Sequence, residues 1–357
     1  MNVADSEILP HSNAISACAA RIAAAPDVAA LASCAAEARQ VAIALHREAA
    51  GAALVTGVLS RLNDAILARI LAVLERRFRL PAARWCWLGL GSEGRLEQTL
   101  ATDQDNGLVF SASDDGEARD LRELFLPFAR AANDALAECG FPLCDGEVMA
   151  GNPRWCLSQS EWLESFATWV RTPEPEALLN ASIFFDFRPL AGAGDLATGL
   201  RSALAELTRG NEIFLRMMTA NALAASPPLG RLRDFVTDGE SGGKIDLKKF
   251  GSRIFVDAAR IMALGAGAAE TSTAARLQRM AADGIMSGAD TEAAVHAFHA
   301  LQGIRFAVQA VAAAGGTAAN QLAPQDMNEF DRRVLLEALR QARALQQRLK
   351  TRFQMDT

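Results

Sequence analysis

Residues 88–110 read LGLGSEGRLEQTLATDQDNGLVF, a glycine-rich turn and an acidic triplet held between two apolar runs. Short apolar runs bounded by turn residues are the signature of strands. The first strand is expected in "LPAARWCWLGL", where Pro81 ends a preceding helical pattern, and the second in "DQDNGLVFSA". Strand side chains alternate between faces, so Asp103 and Asp105 at i and i+2 present two carboxylates side by side. Two like charges at that spacing oppose each other unless a cation neutralises them. Hard oxygen ligands suit Mg²⁺, which commonly uses one or two carboxylates plus substrate phosphates.

The turn ahead of the acids adds a second requirement. "GLGSEGR" carries Gly89, Gly91 and Gly94, whose backbone N–H groups can converge on an anion, with the Ser92 hydroxyl and Arg95 beside them. A triphosphate and a metal would meet between the two strands. An isolated Asp-x-Asp is more often a solvated strand end, so the weight rests on the combination of glycine turn and acid pair.

The rest of the chain sorts by periodicity. About residues 14–78 repeat apolar positions at i, i+3 and i+4, as in Val55, Val58, Leu59, Leu62, Ile66 and Ile70, which predicts packed helices. After the second strand, "SDDGEARDLRELFLPFARAANDALAECG" predicts a helix with Leu121, Leu124, Phe125, Phe128 and Leu136 on one face, capped by Asp114 or Asp115. "FPLCDGEVMA" and "ASIFFDFRPL" are read as third and fourth strands, separated by the helix "EWLESFATWV" and the break "RTPEPE". Beyond about residue 192 the strand signal ends, and amphipathic helices follow, punctuated by "SPPLG", "TDGESGG", "GAG" and "AGG". The expected class is α+β: a small mixed sheet over 79–191, a helical region over 1–78 and a helical domain over 192–357.

The combination Gly-Ser, ten intervening residues, then Asp-x-Asp resembles the DNA polymerase beta nucleotidyltransferase superfamily. Within it, the branch of glutamine-synthetase adenylyltransferases and PII uridylyltransferases is the nearest in pattern. The fuller strings "GSEGRLEQTLATDQDNGL", "CDGEVMAGNPRW", "RTPEPEALLNASIFFDFRP" and "KIDLKKFG" look like an uncharacterised bacterial nucleotidyltransferase-like family, often fused to CBS and cyclic-nucleotide-binding modules. The resemblance covers about residues 40 to 350. It implies that Gly91 and Ser92 hold nucleotide phosphates, with Gly94 and Arg95 in the same turn, and that Asp103 and Asp105 bind catalytic Mg²⁺ or Mn²⁺. It also implies a third carboxylate on a later strand, Asp145 or Glu147, with Gly146 between them able to bulge the strand. The implied reaction moves an NMP from an NTP to a hydroxyl of a protein or small molecule, in a signal-transduction setting. A non-catalytic module that binds a nucleotide or a partner is the alternative. The first 78 residues are too short and too helical for a CBS pair or a cyclic-nucleotide barrel.

Other marked residues have two readings each. Lys244, Lys248 and Lys249, with Arg253, either close over the triphosphate or form a solvated basic helix start. Asn152 and Arg154 either reach the cleft or cap a loop, and Asp186 and Arg188, on one face of the fourth strand, read best as a structural ion pair. His296 and His299 lack companions at metal-ligand spacing, and the five tryptophans read as core. A net charge of -6 argues against coating a membrane or a nucleic acid. The six cysteines form no CxxC pair, and the acidic, polar first residues "MNVADSEILPHSN" do not read as a secretory signal. A cytoplasmic protein without a membrane anchor is expected.

Overall fold

In the computed structural model, which describes residues 12–230, 235–236, 243–315 and 319–355, the chain divides into two compact units. The first comprises residues 1–169 and 180–204, and the second residues 170–179 and 205–357. The sequence "MNVADSEILPHSN" up to residue 11, and "TDGESGG" up to residue 242, lie outside the described residues.

Three helices open the first unit: α1 (Ser12–Ala24), α2 (Val28–Arg47) and α3 (Ala52–Glu75). Val55, Val58, Leu59, Leu62, Ile66 and Ile70 are all buried on α3, as their spacing requires. By length and composition α2 is apolar enough to cross a membrane, yet Leu31, Cys34, Ala35, Ala38, Ala42 and Leu45 are buried within the unit. Its Arg39 donates to the Cys139 carbonyl, as a core-flanking helix of a folded unit does.

The sheet follows. Strands β1 (Trp85–Gly89) and β2 (Asn106–Phe110) are antiparallel, joined by a long connection that contains the one-turn helix α4 (Gly91–Gly94). Helix α5 (Asp115–Glu138) starts on the Asp114 side chain, which accepts from the Glu117 N–H at 2.9 Å. Leu121, Phe125, Phe128 and Leu136 are buried on α5, whereas Leu124 is exposed and leaves the predicted face. Then come β3 (Cys156–Ser158), α6 (Gln159–Arg171), α7 (Pro175–Phe184), β4 (Arg188–Gly192) and α8 (Gly194–Thr208). The strand order is β3-β2-β1-β4, with β3 parallel to β2 and β4 antiparallel to β1. The mixed sheet among helices gives the expected α+β class.

Two predicted strands are corrected. "FPLCDGEVMA" forms no strand: the Glu147 N–H closes a turn on the Cys144 carbonyl, and Glu147 adopts φ 54°. Asp145 and Glu147 therefore do not share a strand face. The third strand begins six residues later, at Cys156. In "ASIFFDFRPL" the residues through Phe184 finish α7, and the strand starts only at Arg188, so Asp186 precedes it. In the first, Asp145-Gly146-Glu147 interrupts the apolar residues with a turn; in the second, the apolar run around Phe184 and Phe185 does not distinguish a buried helix end from a strand. All five tryptophans lie in the first unit, and Trp87, Trp155, Trp162 and Trp169 are buried there.

The second unit contains α9 (Glu212–Leu223), α10 (Arg253–Ala266), α11 (Thr273–Ala282), α12 (Gly288–Gly315) and α13 (Glu329–Arg352). It is not free of strands, contrary to the expectation for this region: β5 (Ile245–Asp246) pairs with β6 (Gln321–Leu322). The ribbon leads into a π-helical turn, Lys248–Ser252, ahead of α10. Buried Arg305 donates to Ser252 and Gln302 here, which gives a buried charged group hydrogen-bond partners.

Candidate active site

The antiparallel register sets Gly89 opposite Asn106, and the ladder runs one step further, with the Leu90 N–H donating to the Asp105 carbonyl at 2.9 Å. Chain leaving β1 and chain entering β2 are thus held side by side. That is why the glycine turn and the acids meet although Asp103 and Asp105 lie just outside the strand. Gly91 takes φ 53°, and a Cβ there would stand 2.9 Å from Asp105 Oδ2. The bare Cα lets the turn sit against the carboxylate.

Alternation does the rest. In the run Asp103-Gln104-Asp105-Asn106, Gln104 and Asn106 are buried, Asp103 is exposed and Asp105 half-buried. The inward amides form a closed network with Asn133 of α5. Gln104 Nε2 donates to the carbonyls of Asn133 and Phe141, both at 2.9 Å, and Asn133 Nδ2 donates to Gln104 Oε1 at 2.8 Å and Asn106 Oδ1 at 3.0 Å. Asn106 Oδ1 also accepts from the Ala150 N–H, and Asn133 Oδ1 from the Gly151 N–H. The same amides that turn the aspartates outward therefore tie the 141–151 loop beneath them. Backbone bonds from the Gln104 N–H to the Pro142 carbonyl and from the Asn106 N–H to the Val148 carbonyl complete the attachment.

That loop brings Cys144 to the acids. The carboxylate oxygens of Asp103 and Asp105 and the Cys144 sulfur lie within 4.8 Å of one another, a donor set that fits a divalent cation. Cys144 Sγ is 3.5 Å from Asp105 Oδ1. Burial pushes the thiol above its ordinary value, and the nearby Asp105 and Asp103 charges add to the shift. Asp145 and Glu147 are exposed and stand outside this cluster. Neither the amide anchors nor the thiol was marked by sequence reasoning. The polar residues interleaved with the acids in "TDQDN" were the available signal for the anchors.

The turn itself is clamped from both sides. Arg188 donates to the Glu93 carbonyl at 2.9 Å and to Asp64 of α3 at 2.7 Å. Arg95 pairs with Glu97 at 2.8 Å and with fully buried Asp186 at 2.7 Å. Asp186 and Arg188 are each in an ion pair, as read, but with Arg95 and Asp64 as partners. Arg95 thus holds the turn's own framework. Gly94 is buried, and a Cβ there would collide with the Asp186 carbonyl at 1.8 Å, so its glycine serves close backbone packing. Ser92 is half-buried in the first turn of α4, where no side chain caps the N–H groups. Glu93 is half-buried, and burial, then the Asp64 and Asp105 charges, push its carboxyl up to about 8 against the opposing pull of Arg188.

Asn152 and Arg154 follow the loop-capping reading: Asn152 donates to the Glu147 carbonyl and accepts from the Arg154 N–H. Lys244, Lys248 and Lys249 are exposed on the second unit, where Asp246 Oδ1 accepts from the N–H groups of Lys248 and Lys249. His296 is exposed on α12.

Comparison with known families fits this geometry. Residues 36–176 match the family described as "Putative nucleotidyltransferase DUF294", and residues 212–353 match its companion, "Putative nucleotidyltransferase substrate binding domain". The chain belongs to this nucleotidyltransferase-like family. Its general activity class is nucleotidyl transfer. The first family match contains the whole glycine turn, both aspartates and Cys144, and the second contains the ribbon, Lys244, Lys248 and Lys249. No curated protein matches the chain significantly.

Proposed function

We propose that the protein transfers an NMP from an NTP to a hydroxyl of a protein or small molecule, with Mg²⁺ or Mn²⁺ held by Asp103 and Asp105. The observation that carries this reading is the convergence of those carboxylates beside the Gly91 turn in a chain of this family. In the reaction, an acceptor oxygen bonds to the α-phosphorus, the bond to the bridging oxygen breaks, pyrophosphate leaves and the hydroxyl proton passes to a base or to water. When bound, the cation supplies charge stabilisation at the phosphoryl and leaving oxygens. Gly91 and Ser92 offer backbone N–H groups and a hydroxyl to the phosphates. Arg95 and Gly94 act one step back, by fixing the shape of the turn. Residues 79–191 form the transferase region in this reading, and residues 192–357 select the acceptor. The acidic balance argues for an acceptor other than nucleic acid. A cytoplasmic location follows from an NTP substrate together with six unpaired thiols.

One observation favours a second reading, a non-catalytic module that binds a nucleotide or a partner. The third member of the cluster is a thiol, where the family resemblance implies a carboxylate. Incubation with each α-³²P-labelled NTP and Mg²⁺ or Mn²⁺, with and without cell lysate, separates the two. Label on an acceptor that disappears in Asp103→Asn/Asp105→Asn supports transfer. Nucleotide binding without any label transfer or pyrophosphate release supports the module.

A further inference from the structure

The cluster pairs two hard oxygen donors with one soft donor. All six cysteines are free, and five are buried; Cys144 alone is half-buried. Its sulfur is carried on a loop fixed from beneath by Gln104, Asn106 and Asn133, so its approach to the aspartates is set by the fold. A site built for Mg²⁺ alone has no use for sulfur at that point, because Mg²⁺ takes oxygen ligands and keeps its waters. Thiolate ligands select softer divalent ions such as Zn²⁺.

We propose that Cys144 is the third protein ligand of the divalent site and tunes it towards thiophilic cations of the Zn²⁺ and Cd²⁺ class over Mg²⁺. The inference rests on the metal site of the nucleotidyl-transfer reading and specifies which ion that site prefers. On binding, a metal–sulfur bond forms and the thiol proton is released to solvent.

Cd²⁺ is the probe, because a cadmium–thiolate bond absorbs in the near ultraviolet and reports ligation directly. The full chain is titrated with Cd²⁺ as wild type, as Cys144→Ser and as Asp103→Asn/Asp105→Asn, with Mn²⁺ binding followed by calorimetry on the same samples. The wild type is expected to develop the thiolate band. Cys144→Ser is expected to lose it while still binding Mn²⁺, with its preference for Cd²⁺ over Mn²⁺ reduced by about tenfold or more. A wild type that binds Cd²⁺ without the band, or a band that survives Cys144→Ser, overturns the proposal. If the band is absent while Mn²⁺ binding still depends on Asp103 and Asp105, only the thiol ligand is wrong and the transfer reading stands. If Mn²⁺ binding ignores the two aspartates, both fall. Alkylation of the wild-type protein provides a check that needs no variant: Cd²⁺ should protect Cys144 from iodoacetamide, and unchanged alkylation contradicts ligation.

Discussion

Two acid pairs in this chain have the same spacing and opposite fates. Asp103 and Asp105 flank Gln104, and Asp145 and Glu147 flank Gly146. The first pair converges with Cys144, while the second is exposed and outside the cluster. The residues between and beside the acids make the difference. Gln104 and Asn106 are buried amides with several partners each, so the backbone there is held extended and its odd positions face outward. Gly146 offers no side chain to anchor, and the chain turns on the Glu147 N–H to Cys144 carbonyl bond instead. An i, i+2 acid pair specifies a shared face only where the alternate residues are tied down.

The largest break in this comparison comes from the first pair itself. Asp103→Asn/Asp105→Asn should abolish Mn²⁺ binding and cut label transfer by at least about a hundredfold, since a catalytic ion contributes several kcal/mol. Next is the anchor. Asn133→Ala touches no proposed ligand, yet it removes the side-chain partner of Gln104 Oε1 and of the Gly151 N–H and one of the two donors to Asn106 Oδ1, and chemical denaturation should show a loss of about 1–3 kcal/mol. Its Mn²⁺ affinity should fall as well, which an anchor of purely local importance would leave intact. Gly91→Ala adds a Cβ at 2.9 Å from Asp105 Oδ2 on backbone at φ 53°. A cost of about 1–3 kcal/mol in stability and weaker metal binding are expected.

Glu93 sharpens the comparison through pH. Its carboxyl lies at about 8 in the folded protein against 4.5 ordinarily, so folding favours the protonated form. The wild type should therefore lose stability progressively as pH rises from about 4.5 to about 8. Thermal melts of Glu93→Gln should show that slope flattened and the variant gaining on the wild type at the alkaline end. An unchanged slope would mean that Glu93 is ionised without cost. The smallest effect belongs to the second pair: Asp145→Asn/Glu147→Gln should change stability by less than about 0.5 kcal/mol, as ordinary surface substitutions do.

The sequence made the glycine turn, the first acid pair and the strand-turn-strand frame around them legible because each has a strong local signature. Gly91 is permissive at positive φ, and alternation carries Asp103 and Asp105 to one side. What stayed hidden depends on contacts distant in sequence. Asn133 lies on a helix 27 residues past Asn106, and Cys144 on a loop 39 residues past Asp105. Arg95 reads as a phosphate partner until the fold supplies Asp186, and Arg188 reads as half of an ion pair whose actual acid, Asp64, lies 124 residues earlier. The missed ribbon, Ile245–Asp246 with Gln321–Leu322, is too short to leave any period in the sequence.

The most direct test of the difference between the two pairs is a calorimetric titration of Mn²⁺ into three proteins: wild type, Asp103→Asn/Asp105→Asn, and Asp145→Asn/Glu147→Gln. Matching isotherms are expected for the wild type and the second-pair variant, with no binding in the first-pair variant. Loss of Mn²⁺ in Asp145→Asn/Glu147→Gln, or its retention in Asp103→Asn/Asp105→Asn, would contradict this expectation.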